Sequence, residues 1–382
     1  MLDGIRIIEL GTVITAPLTG MMLADLGADV IKVERPEGDP FRRSHGGSYS
    51  STFVAYNRNK RSVVLDLTTE DDRKALLALI DGADVLLDNF RPGVLDKLGL
   101  APEELRRRNP RLIQCSITGF GSTGPYCERP AFDAVGLALS GLGSLFVDPD
   151  RPESFGPTIS DNVTGMQACC AILGALVERS RSGQGRRLEV NMLESTMAFA
   201  PDAFTSVTRG GSTPDRLARA SNSQSYAFRC ADGELLAVHL SAREKFWQNF
   251  LQAIDSADLG IDVRFAKHAQ RARNYIALRA ELAHRLLARP RADWLLRLAE
   301  ADVPAAPILS VAEALDDPQV KALGSSCETQ HPTEGLVRSI CCPVLVDNRR
   351  PRSRMTAPPT LGEHTHEVLA ELSTTLHATT EA

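Results

Sequence analysis

Asp161 is the residue whose surroundings most suggest chemistry. It is the only charged residue in the stretch TISDNVTG, residues 158–165, and it lies where a loop is predicted to lead into an apolar helix. One interpretation is an N-cap, in which the carboxylate accepts backbone N–H bonds and contributes about 1 kcal/mol. The other is a nucleophile, since only the anionic carboxylate attacks and a helix N-terminus favours the anion. Spacing alone favours the cap.

Other polar side chains follow the predicted strands. Arg35 ends one strand, Asn89 ends another, and Arg91 comes two residues later. Ligands of open α/β sheets bind at the carboxyl ends of the strands, so these residues are expected to face one ligand. The segment NRNKRS, residues 57–62, carries three cations and two amides, which indicates either a phosphate clamp or a solvated loop.

The glycine-rich segment GFGSTG, residues 119–124, has the spacing of a dinucleotide-binding turn. That turn requires a helix whose N-terminus points at a pyrophosphate, but Pro125 and a further polar stretch follow here. We therefore expect the glycines to let a loop pass close to a neighbouring group.

Composition excludes several classes of function. A net charge of -5 gives no attraction to nucleic acid or an anionic membrane, and no window approaches ~18 apolar residues. The eight cysteines include no C-x-x-C pair, and His364 and His366 diverge on a helix, so no metal site is expected. The chain opens on a predicted strand without a signal peptide, and we expect a cytoplasmic protein with free thiols.

The elements that must position these residues alternate over the first two hundred positions. Near-continuous apolar strands separated by amphipathic helices are typical of a parallel sheet covered on both faces. The predicted fold is α/β, with a doubly wound, Rossmann-like large domain and a smaller α+β domain. The predicted limits are 1–207 for the large domain, 208–225 for a linker, 226–345 for the small domain and 346–382 for a C-terminal helical segment.

Nine segments, in order along nearly the whole chain, resemble the class III CoA-transferase family. This is the family of formyl-CoA and carnitine-CoA transferases, and it is related to α-methylacyl-CoA racemase. The segments are LGADVIKVERPEGDPFR, NRNKRSVVLDL, ADVLLDNFRPGVLDKLGL, NPRLIQCSITGFGSTGPY, FDAVGLALSGL, DNVTG, GQGRRLEVNMLES, VPAAPILSVAEALDDPQV and LGEHTHEVLAEL.

The resemblance implies that two chains interlock into a ring-like homodimer, in which residues 346–382 return to the large domain. CoA would lie across the carboxyl ends of the large-domain strands. Thr68 stands where formyl-CoA transferase has a lysine, which puts one phosphate contact in question. By similarity, the residues lining the CoA site would be Val13, Arg35, Leu65, Asn89, Phe90 and Lys97.

The resemblance also makes Asp161 the catalytic nucleophile. Attack on an acyl-CoA would give a mixed anhydride and CoA thiolate, and the thiolate would then take the aspartyl carbonyl. The acceptor carboxylate would attack that thioester, and CoA would return to the new acyl group. Thioester energy is kept, so the absence of an ATP-binding P-loop is expected, as is the absence of a tightly bound cofactor.

Three functions remain open at this point. The first is CoA transfer from a short acyl-CoA, such as succinyl-CoA, to an organic acid. The second is α-methylacyl-CoA racemization, which needs two acid/base groups flanking one carbon. The racemases of the family have a histidine where Phe132 stands here, and the neighbouring Asp133 is expected to point away, which favours the transferase. The third is an acyl-CoA-binding subunit of a heteromeric transferase.

Only a few positions in the sequence bear on the identity of the acceptor acid. Ile14 replaces a glutamine of formyl-CoA transferase, which disfavours formate and oxalate. Arg42 and Arg43, just after the Asp39-Pro40 turn, are candidates for binding a distal carboxylate, with a solvated arginine pair as the alternative.

Overall fold

A computed structural model describes residues 1–44, 47–154, 156–350 and 355–380, without the side chains of 374–380. The chain forms two compact units: one contains Met1–Gly143, Ser154–Pro201 and the segment from Gly324 onwards, and the other contains Ser144–Glu153 and Asp202–Leu323. Each has a hydrophobic core of its own. The strands are Arg6–Glu9 (β1), Asp29–Glu34 (β2), Lys60–Val64 (β3), Val85–Asp88 (β4), Ile113–Thr118 (β5), Arg187–Asn191 (β6), Ser225–Arg229 (β7), Leu235–His239 (β8), Ala305–Pro307 (β9), Ser326–His331 (β10) and Gly335–Ile340 (β11).

Helices follow most of the strands. None of the described helices is long and apolar enough to cross a membrane. The helices are Thr15–Asp25 (α1), Ser51–Tyr56 (α2), Glu70–Asp81 (α3), Val94–Lys97 (α4), Pro102–Arg108 (α5), Asp133–Leu139 (α6), Ser160–Ser182 (α7), Met192–Phe199 (α8), Pro201–Thr208 (α9), Ala218–Ser223 (α10), Glu244–Ala253 (α11), Ala257–Ile261 (α12), His268–Arg273 (α13), Tyr275–Leu286 (α14), Arg291–Glu300 (α15), Val311–Asp316 (α16), Pro318–Ala322 (α17) and Thr365–Thr380 (α18), with 3-10 turns at Pro40–Arg43 and Leu142–Leu145.

The larger unit is built on a parallel six-stranded sheet in the order β3-β2-β1-β4-β5-β6. Its central strands are largely apolar on both faces because each face is covered. On one face Ile7 packs in a core with Ala168 and Ile172 of α7, and on the other Ile8 packs in a core with Leu76 of α3 and Val368 of α18. The predicted doubly wound α/β fold is therefore confirmed.

Helix α1 packs closely against α7 at small residues. The Thr19 hydroxyl donates to the Gly165 carbonyl at 2.9 Å. A Cβ added to Gly165 would lie 2.8 Å from the Thr15 carbonyl oxygen, so a larger residue would push the helices apart. This contact fixes the start of α7 beside the loop that follows β1.

The smaller unit packs helices against an antiparallel sheet in the order β7-β8-β9. The β7–β8 hairpin turns at Asp232-Gly233, where Gly233 adopts a φ of 83°. Aromatic side chains from the hairpin and the helices meet in its core, including Phe228, Trp247 and Trp294. These contacts give an α+β arrangement.

The division of the chain places the β10–β11 hairpin with the larger unit, which the chain re-enters at Gly324 rather than near residue 346. Val368 of α18 is fully buried in a core of the larger unit. The domain limits drawn from the sequence remain a prediction.

Candidate active site

The carboxyl ends of the central strands border a cavity of about 260 Å³ that contains Asp161. It is formed by the loops after β1 and β4, the end of β5 and the first turn of α7. All of its walls belong to the larger unit. Its lining residues are Thr12, Val13, Ile14, Thr15, Asn89, Phe90, Arg91, Pro92, Ile117, Thr118, Gly119, Cys127, Arg129, Pro130, Ala131, Phe132, Asp161 and Met192.

A second cavity, of about 410 Å³, lies next to it along the same edge of the sheet. Arg35, Leu65 and Thr68 line this second cavity, and Thr12 and Phe90 line both. The structure thus brings together five of the six residues expected at a CoA site. Val13, Asn89 and Phe90 line the Asp161 cavity. Arg35 and Leu65 line the second cavity, together with Phe90. The sixth, Lys97, is an exposed residue of α4 that lines neither cavity.

Asp161 is the second residue of α7, and Ile159 occupies the N-cap position. The capping role that spacing favoured is therefore wrong. The Asp161 N–H donates to Oδ1 of Asp133 at 3.2 Å. Helix α6 approaches α7 closely, since a Cβ on Gly136 would lie 2.3 Å from the Ser160 hydroxyl. The first turn of α7 is therefore positioned by α6 as well as by α1.

The Asp161 carboxyl is held in an environment that disfavours its charge. It is only 7% exposed, and burial raises its pKa to about 7, with the nearby Asp133 adding to the increase. Burial also raises the pKa of the Tyr56 phenol, and both aspartates contribute to that increase. A helix N-terminus was expected to favour the anion of Asp161, but the effect of burial on its pKa is larger. Perturbed carboxyls of this kind concentrate at functional sites.

Asp133 is a correction to the sequence-based expectation. Its side chain was expected to point away, because neighbours in a helix or strand diverge, but it begins α6 and turns back onto the first turn of α7. Phe132, the residue before it, lines the Asp161 cavity and is 67% exposed. Its phenyl ring carries no proton that could be exchanged with a substrate.

The loop after β1 is strained at Val13, which has a φ of 70°. This left-handed conformation is costly for a β-branched residue. The Val13 N–H donates to both Asp39 oxygens, at 3.3 and 3.2 Å. Asn89 holds the preceding residue, because its side chain accepts from the Thr12 N–H at 3.0 Å and donates to the Thr12 carbonyl at 2.7 Å.

Behind this loop lies a buried network of charged side chains. The Lys32 ammonium is 3.0 Å from Asp39 and 3.1 Å from Glu9, and all three side chains are fully buried. Burial alone would lower the pKa of Lys32, but these carboxylates raise it above its usual range. Lys60 completes the network at 2.9 Å from Glu9. Charged residues within apolar strands were the sequence signal for this network.

Comparison with known proteins identifies the group to which this arrangement belongs. The sequence model of CoA-transferase family III matches residues 2–365. The chain belongs to CoA-transferase family III.

Three relatives illustrate the match. Succinate–glutarate CoA-transferase of Agrobacterium fabrum is 36% identical, over 98% of this chain and 96% of its own. Human succinyl-CoA:glutarate CoA-transferase is 32% identical, over 97% and 86%. The crystal structure of a CAIB/BAIF family protein from Brucella suis superposes with a TM-score of 0.85 at 35% identity, covering 97% of this chain and 99% of that one. The protein is an enzyme of CoA transfer, with CoA thioesters and carboxylic acids as substrates.

Two of the alternatives considered for anion binding are excluded for this CoA-transferase. The cations of residues 57–62 do not form a phosphate clamp, because they lie at the amino end of β3 and are paired: Arg58 with Asp25, Lys60 with Glu9, and Arg61 with Asp29.

Arg42 cannot bind a distal carboxylate. Its guanidinium is buried, makes two hydrogen bonds to Glu34 at 2.7 and 2.6 Å, and lies 3.7 Å from the centre of the Phe53 ring. The partners of Arg42, like those of the cations at residues 57–62, lie in other segments of the chain, so the local sequence gave no sign of them. Arg43 is exposed.

The glycine-rich loop at residues 119–124 has the packing role that we expected. A Cβ on Gly119 would lie 2.3 Å from the Ala131 methyl group, and Gly121 adopts a φ of 90°. The Ser122 hydroxyl donates to Glu189 at 2.7 Å. Because no helix begins within the glycines, the loop is not a dinucleotide-binding turn.

Proposed function

We propose that this CoA-transferase moves CoA from a short dicarboxylic acyl-CoA, such as succinyl-CoA, to a second organic acid through covalent intermediates on Asp161. The observation that carries the proposal is the buried Asp161 carboxyl in a cavity that shares Thr12 and Phe90 with a second cavity at the strand ends. The names of the relatives support the substrate class, since they include transferases of glutarate, D-citramalate and mesaconate that match 97% or more of this chain. An acetyl-CoA:oxalate CoA-transferase of Acetobacter aceti matches 84%.

CoA would occupy the cavity lined by Arg35 and Leu65 and extend between Thr12 and Phe90, so that its thioester reaches Asp161. Arg35 and Arg91 would supply positive charge toward the phosphates. The role of Asn89 would be indirect, because its amide is engaged by the Thr12 backbone. Lys97 would contact CoA only from the exposed surface of α4.

In the first half of the reaction, an Asp161 oxygen attacks the thioester carbon, the C–S bond breaks, and a mixed anhydride and CoA thiolate form. The thiolate then attacks the aspartyl carbonyl and releases the donor acid as its carboxylate. The acceptor carboxylate attacks the aspartyl thioester and forms a second anhydride. CoA thiolate finally attacks the new acyl group, which restores the Asp161 carboxylate. The mechanism consumes no ATP and requires no further cofactor.

The burial of Asp161 suits this chemistry. A buried carboxylate is less stabilised by water, and its anion is therefore a stronger nucleophile than an exposed one. The anion predominates above its pKa of about 7, so transfer should increase from acidic to neutral pH.

The proposed assembly is an interlocked homodimer, with a heteromer as the alternative. Helix α7 carries an exposed apolar stripe at helical spacing, made of Met166, Cys170 and Val177. Helix α6 adds exposed Val135 and Leu139. A second copy covering these faces would remove apolar surface from water, and native mass spectrometry should therefore detect a dimer without a stable monomer of about 41 kDa.

The test is to incubate the purified chain with succinyl-CoA and a panel of carboxylic acids and to identify the acyl-CoA products by mass spectrometry. Hydroxylamine added during turnover should modify Asp161. Activity of the chain alone argues against the heteromeric subunit. A 2-methylacyl-CoA incubated in D₂O should keep its α-hydrogen, and deuterium uptake at a rate comparable to transfer would instead support the racemase.

A further inference from the structure

Arg129 lies at the junction of the Asp161 cavity with a third cavity. This third cavity, of about 480 Å³, is mostly apolar and is lined by Phe120, Tyr126, Val135 and Leu139 among others. Arg129 and Pro130 line both. The cavity expected to hold CoA meets the Asp161 cavity at a different pair, Thr12 and Phe90, and shares no lining residue with the third. Arg129 therefore borders the part of the Asp161 cavity that the CoA side does not reach.

The Arg129 guanidinium packs against an aromatic ring, which leaves its N–H groups free to bind an anion. It lies 3.9 Å from the centre of the Tyr126 ring, and the Arg129 N–H donates to the Tyr126 carbonyl at 2.9 Å. A guanidinium stacked on a ring keeps its in-plane N–H donors available, and their fork matches both oxygens of a carboxylate.

Arg129 is also an uncompensated cation within the described part of the chain. No carboxylate there lies within ion-pairing distance of it, whereas Arg42, Arg58 and Arg61 are each paired with an aspartate or glutamate. The guanidinium is therefore available to an anionic ligand, whose carboxylate could accept two parallel N–H donors from it.

We propose that Arg129 binds the distal carboxylate of the acyl group and so selects dicarboxylic over monocarboxylic acids. The inference rests on the proposed function. The reacting carboxyl of the acid would lie at Asp161, between CoA on one side and Arg129 on the other. The same contact would serve the donor and the acceptor, because both occupy this position in turn. Arg129, rather than the buried Arg42, would then recognise the distal carboxylate.

Arg91 provides a matched control. It lines the same cavity but follows Phe90, the residue that borders the CoA side. Removing its charge should weaken every CoA substrate in equal proportion. Arg129 and Arg91 are both exposed, so neither substitution is expected to prevent folding.

The experiment measures kcat/KM for glutarate and for valerate, an acid of equal length with one carboxylate, using succinyl-CoA as the donor. We expect wild type to prefer glutarate. Arg129→Gln should lower kcat/KM for glutarate by about 10- to 100-fold, the usual worth of one charge-assisted contact, and leave valerate within about twofold. Arg129→Lys should recover part of the preference, and Arg91→Gln should lower both acids alike.

Equal losses for glutarate and valerate in Arg129→Gln would overturn the assignment. Wild-type enzyme that transfers CoA among monocarboxylic acids but not to dicarboxylic ones would also overturn it, while leaving CoA transfer through Asp161 intact. Wild-type enzyme that transfers CoA to no acid would overturn both proposals.

Discussion

At the amino ends of the parallel strands charged side chains are paired with one another, whereas Arg91, Arg129 and Asp161 at the carboxyl ends have no ion-pair partner among the described residues. Arg61, the second residue of the edge strand β3, contacts Asp29 at 2.7 Å and Glu371 at 2.6 Å. At the other end, Asp161 lies beside a like charge, Asp133. Charged side chains that pair with one another stabilise the fold. Charged side chains without such a partner are typical of a binding site.

A buried network connects these two ends beneath α1. Lys60, near the amino end of β3, contacts Glu9, which contacts Lys32, which contacts Asp39. Asp39 in turn holds the strained Val13 turn beside the nucleophile. Substitutions at the carboxyl ends, along the network and at the amino ends should therefore differ in what they change.

Replacing the nucleophile should give the largest effect. We expect Asp161→Asn to lower kcat by at least about 10³-fold, because the covalent pathway is lost, while the fold and CoA binding are retained. Turnover assays measure the loss of kcat, and the circular dichroism spectrum measures the retention of the fold. A variant that keeps one tenth of the turnover would exclude Asp161 as the nucleophile.

The same variant should be more stable than wild type as the pH rises. An unfolded aspartate has a pKa of about 3.9, and the folded value for Asp161 is about 7. The wild-type fold therefore loses stability as pH rises through this window, because only the unfolded chain ionises freely. Asparagine does not titrate, so the gain in Tm should be larger at pH 8 than at pH 5. Equal gains at both pH values would contradict the raised pKa.

Breaking the buried network should lower both stability and turnover. Lys32→Met leaves Asp39 buried without its cation, and Lys60→Met leaves Glu9 with one cation fewer. Loss of a partner from a buried pair typically costs about 3–5 kcal/mol of unfolding free energy, so both variants should be less stable in urea. Only Lys32→Met disturbs the Asp39 contact with Val13, and it should lower kcat by about 10- to 100-fold more than Lys60→Met does. Equal kcat values would show that the network has no positioning role.

Removing the like charge beside the nucleophile should shift the pH profile. In Asp133→Asn the pKa of Asp161 should fall, because a neighbouring negative charge is gone, while burial keeps it above that of an exposed aspartate. The acidic limb of kcat/KM should therefore move to lower pH, as measured from pH 4.5 to 8. An unmoved limb would mean that the limb reports another group.

The amino-end ion pairs should affect stability alone, and least. Arg61→Gln removes pairs to Asp29, Glu367 and Glu371 that are partly screened by solvent, so we expect a loss of about 1–2 kcal/mol that shrinks at high salt. Transfer per folded enzyme should be unchanged. Arg107→Gln, which removes an exposed pair with Glu104, is the control and should leave Tm unaltered. A loss of turnover in Arg61→Gln would contradict the division between the two ends.

Much of the fold could be predicted because its signals are local. The apolar runs at residues 5–10 and 29–35 became β1 and β2, and the glycine at 183 ends α7 in a left-handed conformation. The site was less accessible, because side-chain partners come from distant segments. Arg42 is satisfied by Glu34 and by the Pro359 carbonyl, and Asp133 reaches α7 from a helix that begins 27 residues before it. No local pattern encodes such pairs.

The interrupted course of the larger unit has a consequence for its synthesis. A ribosome that has translated the first 201 residues has supplied all six strands of the parallel sheet, but not α18, whose Val368 packs with Val63 and Leu76 in the finished core. Elongation must first pass through Asp202–Leu323 of the smaller unit. Apolar surface that α18 will cover therefore stays exposed on the nascent chain during that interval, when hydrophobic surfaces aggregate most readily. We expect the larger unit to depend on chaperones until the last helix has left the ribosome.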